Sequence, residues 1–322
     1  MEQIVTNNIT DERPLLSICI PIYNRLSFLQ MMLERFMEDK ELFEKEIELI
    51  ISDNCSKEDL YSCVDSFKKR GLSINYHRQE CNLGPDGNFN YCFHHANGKY
   101  MWLLGSDDIP LSGIIQDLVN HLRGKRIGLL HFNKSRYGKI IYKEYSDNNR
   151  ILVDINVQIT FMSANIISTD RLRQLDLLKY AGTNLIQVPA FMDACLSNSI
   201  NAVYKIPEIF EPIADDEHTG DYDLFGVMVR NLFTICQEFV DDGRLRKEEF
   251  ENFKKAECEW VSFMIIVFIF LRKKNNYVLN GAWKNLFHYY GKKPYFYLSF
   301  FSTFFKLLYR QTRKILQKSR SI

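Results

Sequence analysis

The chain has 322 residues, 46% hydrophobic and 25% charged, with a formal net charge of +1; this excludes a disordered or fibrous protein and leaves a globular one with length for about two domains. The even balance hides an asymmetry: residues 271–322 hold twelve Lys and Arg, thirteen aromatics and no Asp or Glu, so residues 1–270 carry 29 basic against 40 acidic side chains, a net of −11. The eight cysteines show no CxxC spacing and lie in apolar patterns, which excludes a zinc or disulfide framework and points to a reducing, cytoplasmic setting.

In chain order, MEQIVTNNITDERP carries acids and lacks an apolar centre, so it is read as a tail and not a signal peptide. LSICIPI (16–22) is a strand candidate, followed by a helical stripe of Phe28, Leu29, Met32, Leu33 and Phe36. IELIIS (47–52) is a second strand, with Ser56 as cap of a helix carrying Leu60, Cys63, Val64 and Phe67. LSINYHR (72–78) is a third, and the loop CNLGPDGNFN (81–90) enters a helix. YMWLL (100–104) is a fourth, Ile114, Ile115, Leu118 and Val119 mark a helix, and IGLLHF (127–132) is a fifth strand. This alternation predicts an α/β fold, a mostly parallel sheet covered by helices on both faces. Farther on, KIIYKEY (139–145) and ILVDI (151–155) are expected to form a hairpin, and residues 221–240 and 247–274 one helix each. The apolar run 261–271 is eleven residues, too short for a membrane span of about twenty.

In a mostly parallel sheet, ligands bind beyond the carboxyl ends of the strands, and Asn24, Asp53, Asp107 and Asp108 all fall there. Two adjacent carboxylates repel each other unless they face water in a turn or hold a cation. Asp107-Asp108 therefore reads either as a solvated turn or as a site for Mg²⁺ or Mn²⁺ shared with substrate phosphates. Asp53 is either a turn residue or a hydrogen-bond acceptor for a nucleobase or ribose. The glycine-bearing loop 82–88 is either a plain helix entry or a phosphate-facing helix N-terminus. It is neither a Walker motif nor GxGxxG, which argues against an ATPase and a dinucleotide oxidoreductase.

SICIPIYNR, ISDNCS, NLGPDGNFN and WLLGSDD occur in the order and spacing of family 2 glycosyltransferases with the Rossmann-like GT-A fold. The chain resembles that family over residues 15–132. In its WLLGSDD form and its SANII segment it is most similar to bacterial O-antigen enzymes of the abequosyltransferase type. The resemblance implies transfer of a sugar, a 3,6-dideoxyhexose such as abequose among the candidates, from a nucleotide-diphosphate donor to a polyprenyl-diphosphate-linked oligosaccharide. It implies that Pro21, Tyr23 and Arg25 line the nucleotide site, that Asp53 contacts the base, and that Asn82, Gly84 and Asp86 flank the donor. Ser106-Asp107-Asp108 stands where the family has its DxD-type motif, with Ser in place of the first acid. Asp108 is then the expected ligand of Mn²⁺ or Mg²⁺, and Asp107 the contact to donor sugar or ribose. An inverting enzyme needs a carboxylate to deprotonate the acceptor hydroxyl. Asp193, an isolated acid in QVPAFMDAC, is the first candidate and Asp216 the runner-up; His218 is a candidate metal or diphosphate contact.

The expected division is a tail (1–14), a nucleotide-sugar-binding half (15–132), an acceptor-binding half (133–243) and a helical, basic-aromatic C-terminal region (244–322). That last region reads as a peripheral anchor on an anionic membrane surface, the inner face of the cell membrane, with aromatics at the interface and cations toward the headgroups. The bland alternative is an aromatic core helix with a solvated basic tail. Nucleic acid is not an expected partner, since no RNA-binding signature accompanies the basic stretch. Two other readings stay open. A nucleotidyltransferase would carry a glycine-rich basic loop after the first strand, where this chain has Tyr23-Asn24-Arg25, and an inactive scaffold would have little reason to keep its strand-end acids.

Overall fold

The structure is a computed structural model and describes residues 13–135, 138–212 and 221–319, with residues 311–319 as backbone only. Residues 1–12 of the expected tail lie outside this range. The first elements follow the hydrophobic pattern. Strand β1 (Leu16–Ile22) is buried at every position, and helix α1 (Leu26–Glu38) buries Leu29, Met32, Leu33 and Phe36. A short α2 (Lys40–Lys45) leads into β2 (Ile47–Asp53). Helix α3 (Leu60–Lys69) is capped by Asp59, whose carboxylate accepts from Ser62 N at 3.0 Å. The cap is thus not Ser56, whose own N–H turns back to Asp53. Strand β3 is confined to Asn75–Arg78 and largely exposed; α4 (Gly84–His95), β4 (Tyr100–Leu103) and α5 (Ile114–Leu122) follow.

Next come β5 (Leu129–Lys134) and β6 (Ile141–Tyr145). The expected hairpin partner of β6 is instead a helix, α6 (Asn148–Ile155). Asp147 accepts from the N–H groups of Asn149 and Arg150, and a capped start fixes the helical choice for a segment whose apolar residues suit either state. Ile151, Leu152 and Ile155 then fall on a buried face, while β6 pairs antiparallel with β8 (Asn201–Ile206). Between them lie β7 (Asn165–Ser168) and α7 (Gln187–Ser197). The two long helices expected farther on each contain a π-helical stretch: Gly226–Asn231 before α8 (Leu232–Asp241), and Ile265–Phe270 after α9 (Lys247–Met264). Helices α10 (Ala282–Tyr290) and α11 (Pro294–Ser319) complete the described chain.

The chain forms two compact units. The first comprises the described residues to Ile127 with Ile166–Leu175 and Glu208–Glu211. Its strands lie in the order β3-β2-β1-β4-β7, with β3, β2, β1 and β4 mutually parallel and β7 antiparallel to β4. The chain runs outward from β1 to β2 and β3, then returns to β4 on the other side of β1, so the order reverses between β1 and β4. Gly98, just before β4, permits this close packing, because a Cβ there would lie 2.7 Å from Ser17 N.

The second unit comprises Gly128–Asn165, Asp176–Pro207 and the described residues from Pro212 onward. Strand β8 lies between β5, to which it is parallel, and β6. The aromatic core of this unit centres on Phe233, whose ring meets those of Phe250, Phe253, Tyr289 and Tyr290 edge-on at 5.2–6.4 Å, a preferred aromatic geometry. Helix α11 buries Phe296 against Tyr290. Thr303 is buried on it, whereas Leu298, Phe301, Phe304, Phe305, Leu308 and Tyr309 face outward. No helix among the described residues is long and apolar enough to cross a membrane.

Candidate functional site at the ends of β1, β2 and β4

Asp53 closes β2 and is 0% exposed. A buried carboxylate needs donors, and three are supplied: Ser56 N at 2.8 Å, the Tyr76 hydroxyl at 2.6 Å and Arg78 Nη1 at 2.9 Å. Register explains two of them. Arg78 lies opposite Asp53 on β3, and Tyr76, two residues back, is on the same face. Burial, with the hydrogen bond to Asp53, pushes the Tyr76 phenol well above its usual range, so it stays a donor at every working pH.

The turns after β1 and β2 are locked together. Asn24, Arg25 and Cys55 have φ of 58°, 66° and 62°, a left-handed conformation that non-glycine residues adopt only when their surroundings hold them. Here Asn24 N donates to Ser56 Oγ at 2.7 Å and Lys57 N donates to Asn24 Oδ1 at 2.9 Å. Asn54 does the same for the third loop: its Oδ1 accepts from Leu83 N at 2.8 Å, and its Nδ2 donates to Asn82 Oδ1 at 2.9 Å and to the Gly84 carbonyl at 3.1 Å. Gly84, at φ 70°, takes the backbone state that glycine alone adopts freely. Asp86 follows in the first turn of α4.

Arg25 joins the β1 end to the β4 end. Its Nη1 lies 2.9 Å from Asp107 Oδ2 and donates to Ser106 Oγ at 3.2 Å. The two side chains remain about one-third exposed, and they straddle the point where strand order reverses, which is where open α/β sheets bind ligands. Pro21 is buried in β1, Tyr23 is half-exposed after it, and Asp108 is half-buried in the turn that its N–H closes on the Gly105 carbonyl. Every donor-site residue expected from sequence thus falls in the first unit, at three strand ends and one helix entry. Tyr76 and Arg78 were not anticipated, nor was the way Asn54 pins the third loop. For Tyr76 and Arg78, the signal is their period-two spacing on a strand beside an acid-ended neighbour.

Among the described residues, no group of three or more His, Cys, Asp or Glu is placed to hold a metal ion. The donor chemistry still fits a hard cation, since Mg²⁺ is commonly held by one or two carboxylates plus substrate phosphates. The adjacent carboxylates of Asp107 and Asp108 meet that description. Asp216 and His218 lie outside the described residues. Asp193 belongs to the second unit. It is 2% exposed on α7, with its carboxylate paired to Arg244 Nη1, and Arg244 also engages Asp242.

A family model described as Glycosyl transferase family 2 matches residues 17–169, the stretch that carries this site. Residues 17–169 are a family 2 glycosyltransferase domain. Over 95 residues, 29% of this chain, it is 41% identical to abequosyltransferase RfbV of Salmonella typhimurium. Over 108 residues, 33% of the chain, it is 33% identical to the GalNAc(5)-diNAcBac-PP-undecaprenol beta-1,3-glucosyltransferase of Campylobacter jejuni. These matches span 28% and 34% of the two relatives' own lengths. Among solved structures, S. aureus TarS 1-349 in complex with UDP-GlcNAc is similar at TM-score 0.57 and 16% identity, over 83% of this chain and 77% of that one. The mannosyltransferase PcManGT of Pyrobaculum calidifontis, solved with GDP-Man and Mn²⁺, is similar at TM-score 0.53 and 12% identity, over 91% and 88%. The family 2 domain therefore has the GT-A fold, a mostly parallel sheet flanked by helices, and a helical region follows it.

Proposed function

We propose that the chain is a glycosyltransferase that binds a nucleotide-diphosphate sugar at the ends of β1, β2 and β4 and transfers the sugar to a polyprenyl-diphosphate-linked glycan in O-antigen or polysaccharide synthesis. The observation that carries this reading is the Arg25–Asp107 pair astride the strand-order reversal, beside the donor-saturated Asp53. In this reading Asp53 contacts the base once Arg78, the exposed one of its side-chain donors, turns away, with Pro21 and Tyr23 beside it. Asn82, Gly84 and Asp86 bound the donor. Arg25 would donate to diphosphate oxygens, a geometry guanidinium suits. We assign Mn²⁺ or Mg²⁺ to Asp108, and the donor sugar or ribose to Asp107. Bound there, the cation would neutralise charge on the departing nucleoside diphosphate. The base that takes the acceptor hydroxyl's proton is Asp193 or, in its place, Asp216.

The likeness to an abequosyltransferase supports a dideoxyhexose donor, which would be CDP-linked. The likeness to an enzyme named for an undecaprenol-linked substrate supports the lipid-linked acceptor. The outward aromatics of α11 and the acid-free basic C-terminal stretch support attachment to the inner face of the cell membrane.

The test is calorimetric titration with CDP, UDP, GDP and dTDP, with and without Mn²⁺. One nucleotide is expected to bind in a metal-dependent way, and Asp108→Ala to lose both that dependence and transfer while keeping the wild-type fold. A folded protein that binds none of the four would remove this reading in favour of an inactive scaffold. Nucleotide incorporation into a sugar phosphate would favour the nucleotidyltransferase.

A further inference from the structure

Within the second unit, a cavity of about 640 Å³ opens between α6, α9 and α11, a volume typical of small-ligand sites. Two helices each give it one face: Ala256, Glu259, Trp260 and Phe263 from α9, and Thr303, Lys306, Leu307 and Arg310 from α11. Both sets have the i, i+3, i+4, i+7 spacing of a single helical stripe. On α11 this stripe, which includes Leu307, lies opposite the outward Phe301 and Phe305. Lys306 Nζ meets Glu259 Oε1 at 2.8 Å and ties the two helices together. Thr303 is 5% exposed, and its hydroxyl has no hydrogen-bond partner among the described residues. A buried hydroxyl without a partner costs stability, and Thr303 is among the residues that line the cavity.

We propose that this cavity binds a glycan. Its lining mixes donors and acceptors with aromatic surface. Asp154 and Glu259 are acceptors, Lys306 and Arg310 donors, and Gln158 and Thr303 both, with Asp154 also bonded by Tyr145 and Gln158 by Asn133. Trp260 offers a ring against which the C–H face of a pyranose can pack. An anion would meet the Asp154 and Glu259 carboxylates, and an alkyl chain would leave the Thr303 hydroxyl without a partner. A polyhydroxyl ligand meets neither objection. The choice of a glycan rests on the transferase reading; the lining itself belongs wholly to the second unit and shares no residue with the donor site.

The full chain is titrated with maltotriose, globotriose and triacetylchitotriose, and binding is read by saturation-transfer NMR. At least one trisaccharide is expected to bind. Trp260→Ala should weaken that binding about tenfold or more, the scale of a lost aromatic contact. The near-isosteric Thr303→Val should weaken it several-fold, and both variants should keep the wild-type nucleotide titration. The nucleotide titration keeps the two ideas apart: a chain that binds nucleotide but no trisaccharide overturns the glycan site alone. Trisaccharide binding unchanged in both variants overturns it as well. So does uptake of citronellyl phosphate that depends on Trp260 while the sugars give no signal, since the cavity would then be a lipid site.

Discussion

Asp53 is buried away from water, and three donors converge on its carboxylate. Removing one tests how closely fold and site are joined. Tyr76→Phe deletes a hydrogen bond to a buried charged group and is expected to cost about 1.5–3 kcal/mol in urea unfolding, with a parallel loss of nucleotide affinity in the calorimeter. Asp193 presents the opposite case, since its ion pair with Arg244 suits a structural role as well as a catalytic one. Asp193→Asn would then lower the unfolding midpoint while turnover per folded molecule stays within a few-fold. A loss of more than about a hundredfold in turnover at unchanged stability, the scale of a missing general base, would make Asp193 the base. The position of Asp53 was legible in the sequence because a strand-ending acid is a local signal. Its partners were not, since Tyr76 and Arg78 reach it only through the β2–β3 register, which no run of residues in LSINYHR announces.

At the scale of elements, local pattern sufficed wherever apolar spacing was unambiguous, as in β1, α1 and β4. It failed where one segment suited two states. ILVDI has the composition of a strand, and the deciding information lay upstream in Asp147, which caps α6. Asp147→Ala is expected to cost about 0.5–2 kcal/mol, the usual worth of a cap. The hydrogen bond from Arg246 holds the Asp147 carboxyl below its usual range. A depressed carboxyl stabilises the fold fully above its unfolded value of about 3.9 and loses that contribution as pH falls through the folded one. The gap between wild type and Asp147→Ala should therefore be constant near neutrality and narrow below about pH 4, as urea midpoints across pH would record. The π-helical stretches were equally hidden, because a one-residue widening of a helix leaves the apolar periodicity almost unchanged.

For the whole molecule, the charge asymmetry visible in the composition becomes a surface. Phe301 and Phe305, one helical turn apart, are 56% and 63% exposed on α11, within the basic stretch that contains no acid. The full chain is expected to co-sediment with anionic vesicles at low salt and to be partly released as salt screens the cations. Phe301→Ser with Phe305→Ser should weaken binding at every salt concentration, and vesicle binding unaffected by that double change would remove α11 as the anchor. The eight cysteines, all unpaired, have a practical consequence at this scale. Cys81 is the exposed one among them, while Cys19, Cys92, Cys195, Cys236 and Cys258 are buried, and it directly precedes Asn82 in the loop that Asn54 pins. A thiol reagent given to the native protein should therefore mark Cys81 first. The protein thus carries its own footprinting probe at the rim of the proposed donor site, and the rate at which that thiol is alkylated would fall when a nucleotide sugar lies over it.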